Sequence, residues 1–559
     1  MEINIRNKFG WKEYQESGIR LWFSGYLIGD YSVKKVLLEL IDFSNNDDIN
    51  IEKLSKWVNG ITGHFSLVVK FSENKCFLAV DKICSIPVFD IVKDNRYAVS
   101  NHAPYLKKAF GMIDRDVSLQ SLLEISMSGF SIGDKTIYRD MNRLMAGECI
   151  FWNKGERQKK YYYTYSPWKS SLSNYDGLKD EFSKVCLVTI KKLIKSVGGR
   201  QIVVPLSAGN DSRLIVSCLR ILSYKNVICF TYGRKGNYEV DASEKVASTL
   251  GYKWIYIRDT IRKKRAFFKS GIYDDYVKTF ESYASVPNTQ DIYEVYTLKS
   301  MNIIDDDAVI VNGNSGDFIS GGHVPKALKL NKGFSIDNNE NWELFLEKHY
   351  SIWRSLRTNL SDKIIISELS KKISKRFQFK KQNKVLSYSM IESMEYIGRQ
   401  SRLVMNQQRA YDFIGHEWRL PFWSEDFLIF CEKVPPQYKV GQALYKDVLM
   451  ENNWGGVWKD IDINKKLIRP WSLFLIRLFV KALSAPFVKK VWHRIEKNLF
   501  YYWMHPSYAV TITSYWNTLF DKYGQRSINS WTADQFVKRN GFSGVTNVLN
   551  KVRSLHKYK

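Results

Sequence analysis

The chain has 559 residues, too many for one hydrophobic core, and its 45% hydrophobic and 14% aromatic residues provide ample material for two or more packed domains. Its seven cysteines form no CxxC pair and its eight histidines no HExxH pattern, which argues against a disulfide scaffold and a zinc site. The formal net charge of +27 points to nucleic acid, an anionic membrane surface or phosphorylated substrates, or simply to a lysine-rich solvated surface.

The start of the chain, MEINIRNKFGWKEYQ, is polar and charged and does not read as a signal peptide. No uncharged apolar run reaches the roughly 18 residues that span a bilayer. We therefore expect a cytoplasmic protein. No signature of a DNA- or RNA-binding module is present, so we expect no nucleic-acid partner.

Residues 1–165 are rich in short strand signals separated by Asn, Asp, Gly and Pro turns. One helix is predicted among them from the spacing of apolar residues in SVKKVLLELIDF. The pattern indicates an α+β domain with antiparallel sheets. A turn-rich segment between Ser166 and Asp176 marks its end. The predicted strands are LWFSGYLIG, GHFSLVVKF, KCFLAVDK, PVFDIV and RYAVSN.

Residues 175–559 alternate between predicted strands and helices, and the last third is predicted to be mostly helical. This alternation is typical of a doubly wound parallel sheet, in which ligands bind beyond the carboxyl ends of the strands. One of the helices is predicted to end at Gly251. The predicted strands are QIVVPLS, NVICFTYG, KWIYI and DAVIVNG.

The turn after the first parallel strand, residues 207–212, is built from small and polar residues. Small residues let successive N–H groups converge, and the following helix adds unpaired N–H donors and a positive dipole end. We predict a phosphate cradle with Arg213 adding positive charge and Mg²⁺ between Asp211 and the phosphates. The alternative is an ordinary strand–helix turn in which Asp or Ser caps the helix. The predicted nucleotide-binding residues here are Ser207, Ala208, Gly209, Asn210, Asp211 and Ser212.

A second turn, VNGNSGDFISGG, follows the fourth predicted strand. Gly313 and Gly316 permit close backbone approach and are predicted to border the nucleotide. Asp317 is expected at the same sheet edge as Asp211, so that both carboxylates bind one Mg²⁺. The alternative is a glycine-rich surface loop.

The 207–212 turn resembles the pyrophosphate loop S-G-G-x-D-S of N-type ATP pyrophosphatases, with Ala208 in place of a glycine. Alanine is unfavourable there if the position requires a positive φ. Together with other segments, the turn resembles the asparagine synthetase family, which includes the β-lactam synthetases. VNGNSGDFISGG is similar to the family's G-x-G-x-D-E-x-x-x-G loop with Phe318 replacing the glutamate, and EWRLPF to its E-x-R-x-P-F sequence with Trp418 as a variable residue. GITGHFSLVVKF and KTIYRDMNRLMAGECIFW resemble parts of its amidotransferase domain.

The resemblance implies an ATP-dependent, AMP- and pyrophosphate-forming carbon–nitrogen ligase that adenylates a carboxylate and transfers a nitrogen nucleophile to it. Thr231 and Tyr232 would then border the adenine. The family uses a catalytic lysine late in the chain, near an R-x-K sequence, where this chain has Trp471. Lys465, Lys466 and Lys446 are the candidates for that role.

The resemblance also implies an Ntn-hydrolase-like glutamine amidotransferase domain over residues 1–165. Glutamine-using members begin with a cysteine nucleophile, whereas here Met1 is followed by Glu2 and the first cysteine is Cys76. We expect this domain to be inactive, with nitrogen supplied by ammonia, a separate glutaminase or an amine of the substrate itself. The last case would make the enzyme an intramolecular amide (lactam) synthetase. A catalytically degenerate scaffold is the alternative.

The segment YASVPNTQDIY is expected to border the adenylate pocket. The basic, aromatic segment around Trp471 fits either a buried helix pair or an element at the anionic inner face of a membrane. The second interpretation, together with the charge, leads to the hypothesis that the enzyme amidates a sugar acid in surface polysaccharide biosynthesis.

Overall fold

The computed structural model describes most of the chain. The description leaves out residues 30, 46–48, 169–173, 234–236, 324–327, 329–332, 334–338, 378–384, 462–470, 485–491, 493–494, 497–498, 501–508, 522–526 and 558–559.

The front part of the chain forms two sheets that are antiparallel except for one edge strand. The six-stranded sheet has the order β10-β9-β5-β4-β3-β2, and the four-stranded sheet the order β1-β7-β6-β8, with β1 parallel to β7. The predicted antiparallel sheets are therefore confirmed. The strands are β1 Glu2–Asn4, β2 Lys12–Glu16, β3 Ile19–Leu27, β4 Gly63–Ser72, β5 Lys75–Val80, β6 Phe89–Lys93, β7 Arg96–Ser100, β8 Met141–Arg143, β9 Glu148–Asn153 and β10 Glu156–Tyr161.

Side chains alternate between the two faces of each strand, and the front part has four layers. These are helices α1 and α2, the six-stranded sheet, the four-stranded sheet, and helices α3 and α4. Leu21 and Phe23 pack with helices α1 and α2, whereas Trp22 between them joins the core shared by the two sheets. Helices α3 and α4 cover the outer face of the four-stranded sheet. Of these four helices only α1 was predicted. Helix α4 could not be recognised from its pattern, because it is buried on nearly every side and lacks an amphipathic period. The helices are α1 Val33–Asn45, α2 Ile51–Asn59, α3 Ala103–Ala109 and α4 Leu119–Ser128.

The second part is built on a parallel sheet of order β13-β12-β11-β14-β15. The predicted parallel sheet is confirmed, and β15 is an additional edge strand. The chain leaves β11 towards β12 and β13 and returns to its other side at β14, so the order reverses between β11 and β14. Ligands bind at such a reversal in doubly wound sheets. The strands are β11 Ile202–Pro205, β12 Val227–Gly233, β13 Lys253–Arg258, β14 Val309–Val311 and β15 Glu417–Arg419.

Helices make up most of the remaining chain. Helix α7 ends as predicted at Gly251, which has a φ of +72°. A π-helical turn, Tyr396–Gln400, continues α14. The helices are α5 Tyr175–Val197, α6 Asn210–Ile221, α7 Tyr238–Leu250, α8 Ile261–Phe268, α9 Gly271–Thr279, α10 Ile292–Ser300, α11 Gly316–Ile319, α12 Asn339–His349, α13 Asn359–Phe377, α14 Ser387–Glu395, α15 Gln408–Ile414, α16 Glu425–Lys433, α17 Pro436–Lys439, α18 Ala443–Asn452 and α19 Trp471–Leu483.

The end of the chain returns to the front part. Phe536 and Val548 lie in the same core as Leu122 of α4. Within the described ranges, we find no helix with the length and apolarity needed to cross a membrane. The C-terminal helices are Ala509–Ile512, Tyr515–Leu519, Ile528–Arg539 and Val545–Lys557.

Candidate functional site

The two glycine-containing loops meet where the strand order reverses. The loop after β11 carries Asp211 and the loop after β14 carries Asp317. The backbone N–H of Asp317 donates a 2.9 Å hydrogen bond to Oδ2 of Asp211. The hydroxyl of Tyr445 donates to the other oxygen, Oδ1, also at 2.9 Å. The structure thus brings together the two aspartates that the sequence singles out as metal ligands.

Glycine is required for this approach at two positions. A Cβ on Gly313 would lie 2.9 Å from Cβ of Asp211, and a Cβ on Gly316 would lie 2.5 Å from its Cγ. Since both distances are shorter than normal Cβ contacts, a larger residue at either position would push the loops apart. The two glycines therefore keep the loops together by leaving room for Asp211.

The two carboxylates have opposite pKa shifts. Burial, reinforced by the negative charge of Asp317, raises the pKa of Asp211 to about 7. Burial acts in the same direction on Asp317, but its hydrogen bond to His323 and the charges of His323 and Arg399 outweigh it, so its pKa is lowered. Without a bound cation, ionisation of Asp211 beside the negatively charged Asp317 is therefore unfavourable.

Three residues that the sequence did not single out extend the site behind Asp317. Nε2 of His323 lies 2.7 Å from Oδ2 of Asp317, and Nδ1 of His323 is hydrogen-bonded to Glu395. Arg399 lies one helical turn beyond Glu395 and contacts its carboxylate at 3.3 Å. Burial opposes the charge on His323, but its two carboxylate partners outweigh burial and raise its pKa to about 9. His323 follows the second glycine loop directly, which is the only signal that could have pointed to it.

The turn between β11 and α6 places two serine hydroxyls beside the uncapped start of a helix. The backbone N–H of Ser207 donates to Oγ of Ser212 at 3.1 Å, and Gly209 N–H donates to Oγ of Ser207 at 3.2 Å. Gly209 is the N-cap of α6 and supplies no side-chain cap, so the first N–H groups of the helix have no side-chain acceptor at the cap. Oδ1 of Asn210 is buried and without a hydrogen-bond partner among the described residues. Ala208 is absent from the residues with positive φ, so its replacement of glycine causes no strain.

Arg213 differs from its predicted role. Its side chain is fully buried, and its guanidinium donates to the carbonyl oxygens of Ala208, Val457 and Ile461 at 2.8 to 3.1 Å. The structure shows the Arg213 guanidinium bonded to carbonyl groups behind the turn and not among the described residues that line the cavity. Position 213 is on the core side of α6, where the arginine joins the cradle to the segment around Val457.

A cavity of about 560 Å³ opens beside the cradle. The turn, the second loop, Thr231 and Tyr232 border it, as do residues 288–291 from the segment expected at the adenylate pocket. Ile528 and Asn529, at the start of a C-terminal helix, also line the cavity. The lining comprises Pro205, Leu206, Ser207, Gly209, Asp211, Ser212, Phe230, Thr231, Tyr232, Glu239, Lys264, Asn288, Thr289, Gln290, Asp291, Asn312, Gly313, Asn314, Arg399, Leu403, Val404, Gln407, Ile528 and Asn529.

One wall of the cavity carries a buried carboxylate with three donors. Asp291 accepts hydrogen bonds from Tyr232 and Tyr411 at 2.6 and 2.9 Å and from Gln407 at 2.7 Å. Burial raises the pKa of Asp291 to about 6. The hydroxyl of Thr231 is used within the protein, donating to the Leu206 carbonyl at 2.5 Å. Thr231 and Tyr232 are therefore held rigidly at the edge of the cavity.

The basic residues found at the cavity are not the ones predicted from the sequence. Among the described lining residues, the basic ones are Lys264 and Arg399. Lys264 is paired with Asp259 and Glu294 at 2.8 and 2.6 Å. Of the three predicted catalytic lysines, only Lys446 is described, and it is not among the described residues that line the cavity. Lys446 is exposed and donates to the Gly441 carbonyl at 2.7 Å, and Lys465 and Lys466 lie outside the described residues.

Phe318, which departs from the family pattern, and Trp418, at a variable position of it, have structural roles. Phe318 is buried and stacks on Trp423 with ring centroids 5.7 Å apart. Trp418 is buried in β15, and its indole N–H donates to Asp412 at 3.0 Å. Both side chains belong to the hydrophobic core beneath the site.

Residues 195–452 match the family model described as asparagine synthase. A search of curated proteins gave no match. The solved structures with a match include the NH3-dependent NAD synthetase from Campylobacter jejuni subsp. jejuni NCTC 11168 in complex with the nitrate ion. It is 14% identical with a TM-score of 0.19, and the match covers 41% of this chain and 97% of that chain. The family match spans the parallel sheet from β11 to β15 and both aspartate loops.

Proposed function

We propose that the protein is an amide synthetase that splits ATP into AMP and pyrophosphate. The observation that carries the proposal is the pairing of Asp211 with Asp317 beside an N–H-rich turn, at the point where the parallel strand order reverses. This arrangement opens onto a cavity large enough for a nucleotide and a second small molecule.

The residues fit Mg²⁺ and a nucleotide triphosphate. A divalent cation would relieve the unfavourable ionisation of Asp211 beside Asp317, and carboxylate oxygens are the ligands that Mg²⁺ prefers. Mg²⁺ is usually held by one or two carboxylates plus substrate phosphates, in agreement with the absence of a three-residue metal cluster from the described chain. The hydroxyls of Ser207 and Ser212, together with the uncapped N–H groups that follow Gly209 at the start of α6, would bind the pyrophosphate. When bound, Mg²⁺ supplies neutralisation of phosphate charge.

The proposed reaction has two steps. An oxygen of the substrate carboxylate attacks the α phosphorus of ATP, the bond to the β phosphate breaks, and an acyl-adenylate forms. A nitrogen nucleophile then attacks the acyl carbon, AMP leaves with the bonding electrons, and the nitrogen loses a proton. Arg399 and Lys264 line the cavity and would stabilise the negative charge of either step. Lys465, Lys466 and Lys446 remain proposals for the same role.

We propose that the nitrogen does not come from glutamine hydrolysis in the front part. Cys76, Cys84 and Cys149, its three cysteines, are all buried, and burial raises the pKa of each thiol. A buried neutral thiol is a poor nucleophile. The layered sheets support an Ntn-like domain without this activity, and ammonia, a separate glutaminase or a substrate amine would supply the nitrogen.

The carboxylate substrate is proposed to be rich in hydroxyl groups. Asn288, Thr289, Gln290 and Asn529 are polar residues that line the cavity. A sugar acid of surface polysaccharide assembly matches this lining, and we place the reaction in the cytoplasm, where ATP is available.

The products of ATP test the proposal. Purified protein would be incubated with α-labelled ATP, Mg²⁺, ammonium and a panel of uronic acids and amino acids. The proposal expects labelled AMP that depends on one acid and is lost in Asp317→Asn. Product formed without ammonium would indicate the lactam synthetase, activity with aspartate alone would rule out the sugar acid, and no AMP with any acid would favour the scaffold.

A further inference from the structure

Helix α19, Trp471–Leu483, turns apolar side chains outward. None of its residues is buried, and Trp471 and Phe479 are 72% and 66% exposed. Phe474, Leu475 and Leu478 are also exposed. Because these five residues recur at spacings of three and four, they form one continuous face of the helix. A helix on a water-exposed surface usually turns polar side chains outward, whereas the outer face of α19 is apolar.

The opposite side of α19 is turned towards the protein. Leu473, Arg477 and Val480 are less exposed than their neighbours. Nε of Arg477 donates to Glu496 at 2.9 Å, and its guanidinium lies 5.4 Å from the ring centre of Trp492. These contacts orient the helix so that its outer face points to solvent. Helix α19 is therefore exposed rather than buried.

The charge around α19 is strongly positive. Residues 463–500 contain nine lysines and arginines and a single acidic residue, Glu496. Glu496 is engaged by Arg477, so the sequence leaves eight positive charges without a local acidic counterpart. An exposed apolar face within a cationic segment matches the surface of a bilayer that contains anionic lipids. Two copies of the chain would instead bring two cationic segments together.

We propose that α19 binds peripherally to an anionic lipid bilayer, with its outer face at the level of the acyl chains and with the net positive charge of the segment attracting anionic headgroups. A single short helix of this kind gives reversible attachment, and the lysines add attraction that salt weakens. This inference does not depend on the proposed ligase chemistry, since it needs neither ATP nor the cavity.

Vesicle flotation tests the proposal with the full-length chain. Vesicles of equal parts phosphatidylglycerol and phosphatidylcholine would be compared with pure phosphatidylcholine at 0.1 M and 0.5 M salt. We expect at least fivefold more protein to float with the anionic vesicles, and less at high salt. The triple variant Phe474→Ser, Leu478→Ser, Phe479→Ser should lose this binding.

A matched control is Leu38→Ser with Met301→Ser, which removes exposed apolar side chains elsewhere (44% and 64% exposed) and should bind like the wild type. Thermal midpoints of all variants should agree, because the replaced side chains are exposed. Equal flotation of the triple variant and the wild type would overturn the proposal. The proposal would also be overturned if the wild-type protein does not float with the anionic vesicles, whether it is monomeric or self-associates through α19.

Discussion

The backbone N–H of Asp317 donates a hydrogen bond to the carboxylate of Asp211, 106 positions earlier in the chain. The contact exists because β11 and β14 are neighbours, so that the loops after them begin side by side. Everything proposed about ATP follows from this contact, since it converts two distant sequence motifs into one site.

Gly316→Ala tests whether the contact is required. The added Cβ would lie 2.5 Å from Cγ of Asp211 and force the loops apart. A displacement of about 1 Å can cost roughly 100-fold in rate, so we expect AMP release to fall by about that factor. Gly271→Ala, where no atom lies within 4 Å of the new Cβ, is the matched control and should retain activity. Full activity in Gly316→Ala would contradict this account of the loop.

Arg213→Met should destabilise the turn at residues 207–212 by removing the hydrogen bonds that join it to the segment around Val457. The substitution leaves the carbonyl groups of Ala208, Val457 and Ile461 without their donor, at a cost of about 1–3 kcal/mol for a buried group left unsatisfied. We expect a lower unfolding midpoint and weaker ATP binding. Arg220→Met, at the exposed end of the same helix, should change neither. If the two variants behave alike, Arg213 does not support the cradle.

Lys439 and Glu392 form a buried ion pair at 2.7 Å, to which Tyr165 adds a hydrogen bond of 2.6 Å. Lys439→Met would leave the carboxylate buried without its cation, which costs about 3–5 kcal/mol. Adding Glu392→Gln removes that charge and should recover much of the lost stability. Chemical unfolding of the two variants measures this difference. A single variant as stable as the wild type would show that the pair is dispensable.

His64 should make stability depend on pH. It lies 2.6 Å from the Tyr26 hydroxyl, and the Arg419 guanidinium lies 4.0 Å from the ring centre of Tyr26. Burial and the charge of Arg419 lower the pKa of His64 to about 3 from an ordinary value of 6.5. In the unfolded chain the His64 imidazole is protonated below about pH 6.5, whereas in the folded chain it is protonated only below about pH 3. The contribution of His64 to the free energy of unfolding is therefore complete above pH 6.5 and is lost as the pH falls.

We expect the wild type to lose about 1 kcal/mol more stability than His64→Gln between pH 7.5 and 5.5, since one pKa unit corresponds to about 1.4 kcal/mol. Unfolding midpoints of both proteins at the two pH values measure this. Parallel losses in the two proteins would show that His64 is already protonated in the folded state.

The sequence predicts the centre of the site better than its surroundings. Asp211 and Asp317 could be predicted to meet, because each follows a strand in a strand–helix alternation and glycines accompany both. Glu395 gave no signal, since α14 is buried along its whole length and has no polar face that would mark a site, and Arg399 lies in the π-helical turn after it. The charge of Arg213 suggested a contact with phosphate, whereas its position on α6 buries the side chain, which bonds to carbonyl groups. The three-residue strand β15 is too short for a periodic pattern to reveal.

The central claim is that Asp211 and Asp317 bind Mg²⁺ against the nucleotide phosphates. Calorimetric binding of α,β-methylene-ATP, with Mg²⁺ and then with EDTA, tests it most directly in the wild type, Asp211→Asn, Asp317→Asn and the exposed control Asp274→Asn. We predict that Mg²⁺ strengthens binding to the wild type and the control by about tenfold or more, equivalent to about 1.4 kcal/mol, and that it has little effect on the two site variants. The same dependence on Mg²⁺ in all four proteins would contradict the account.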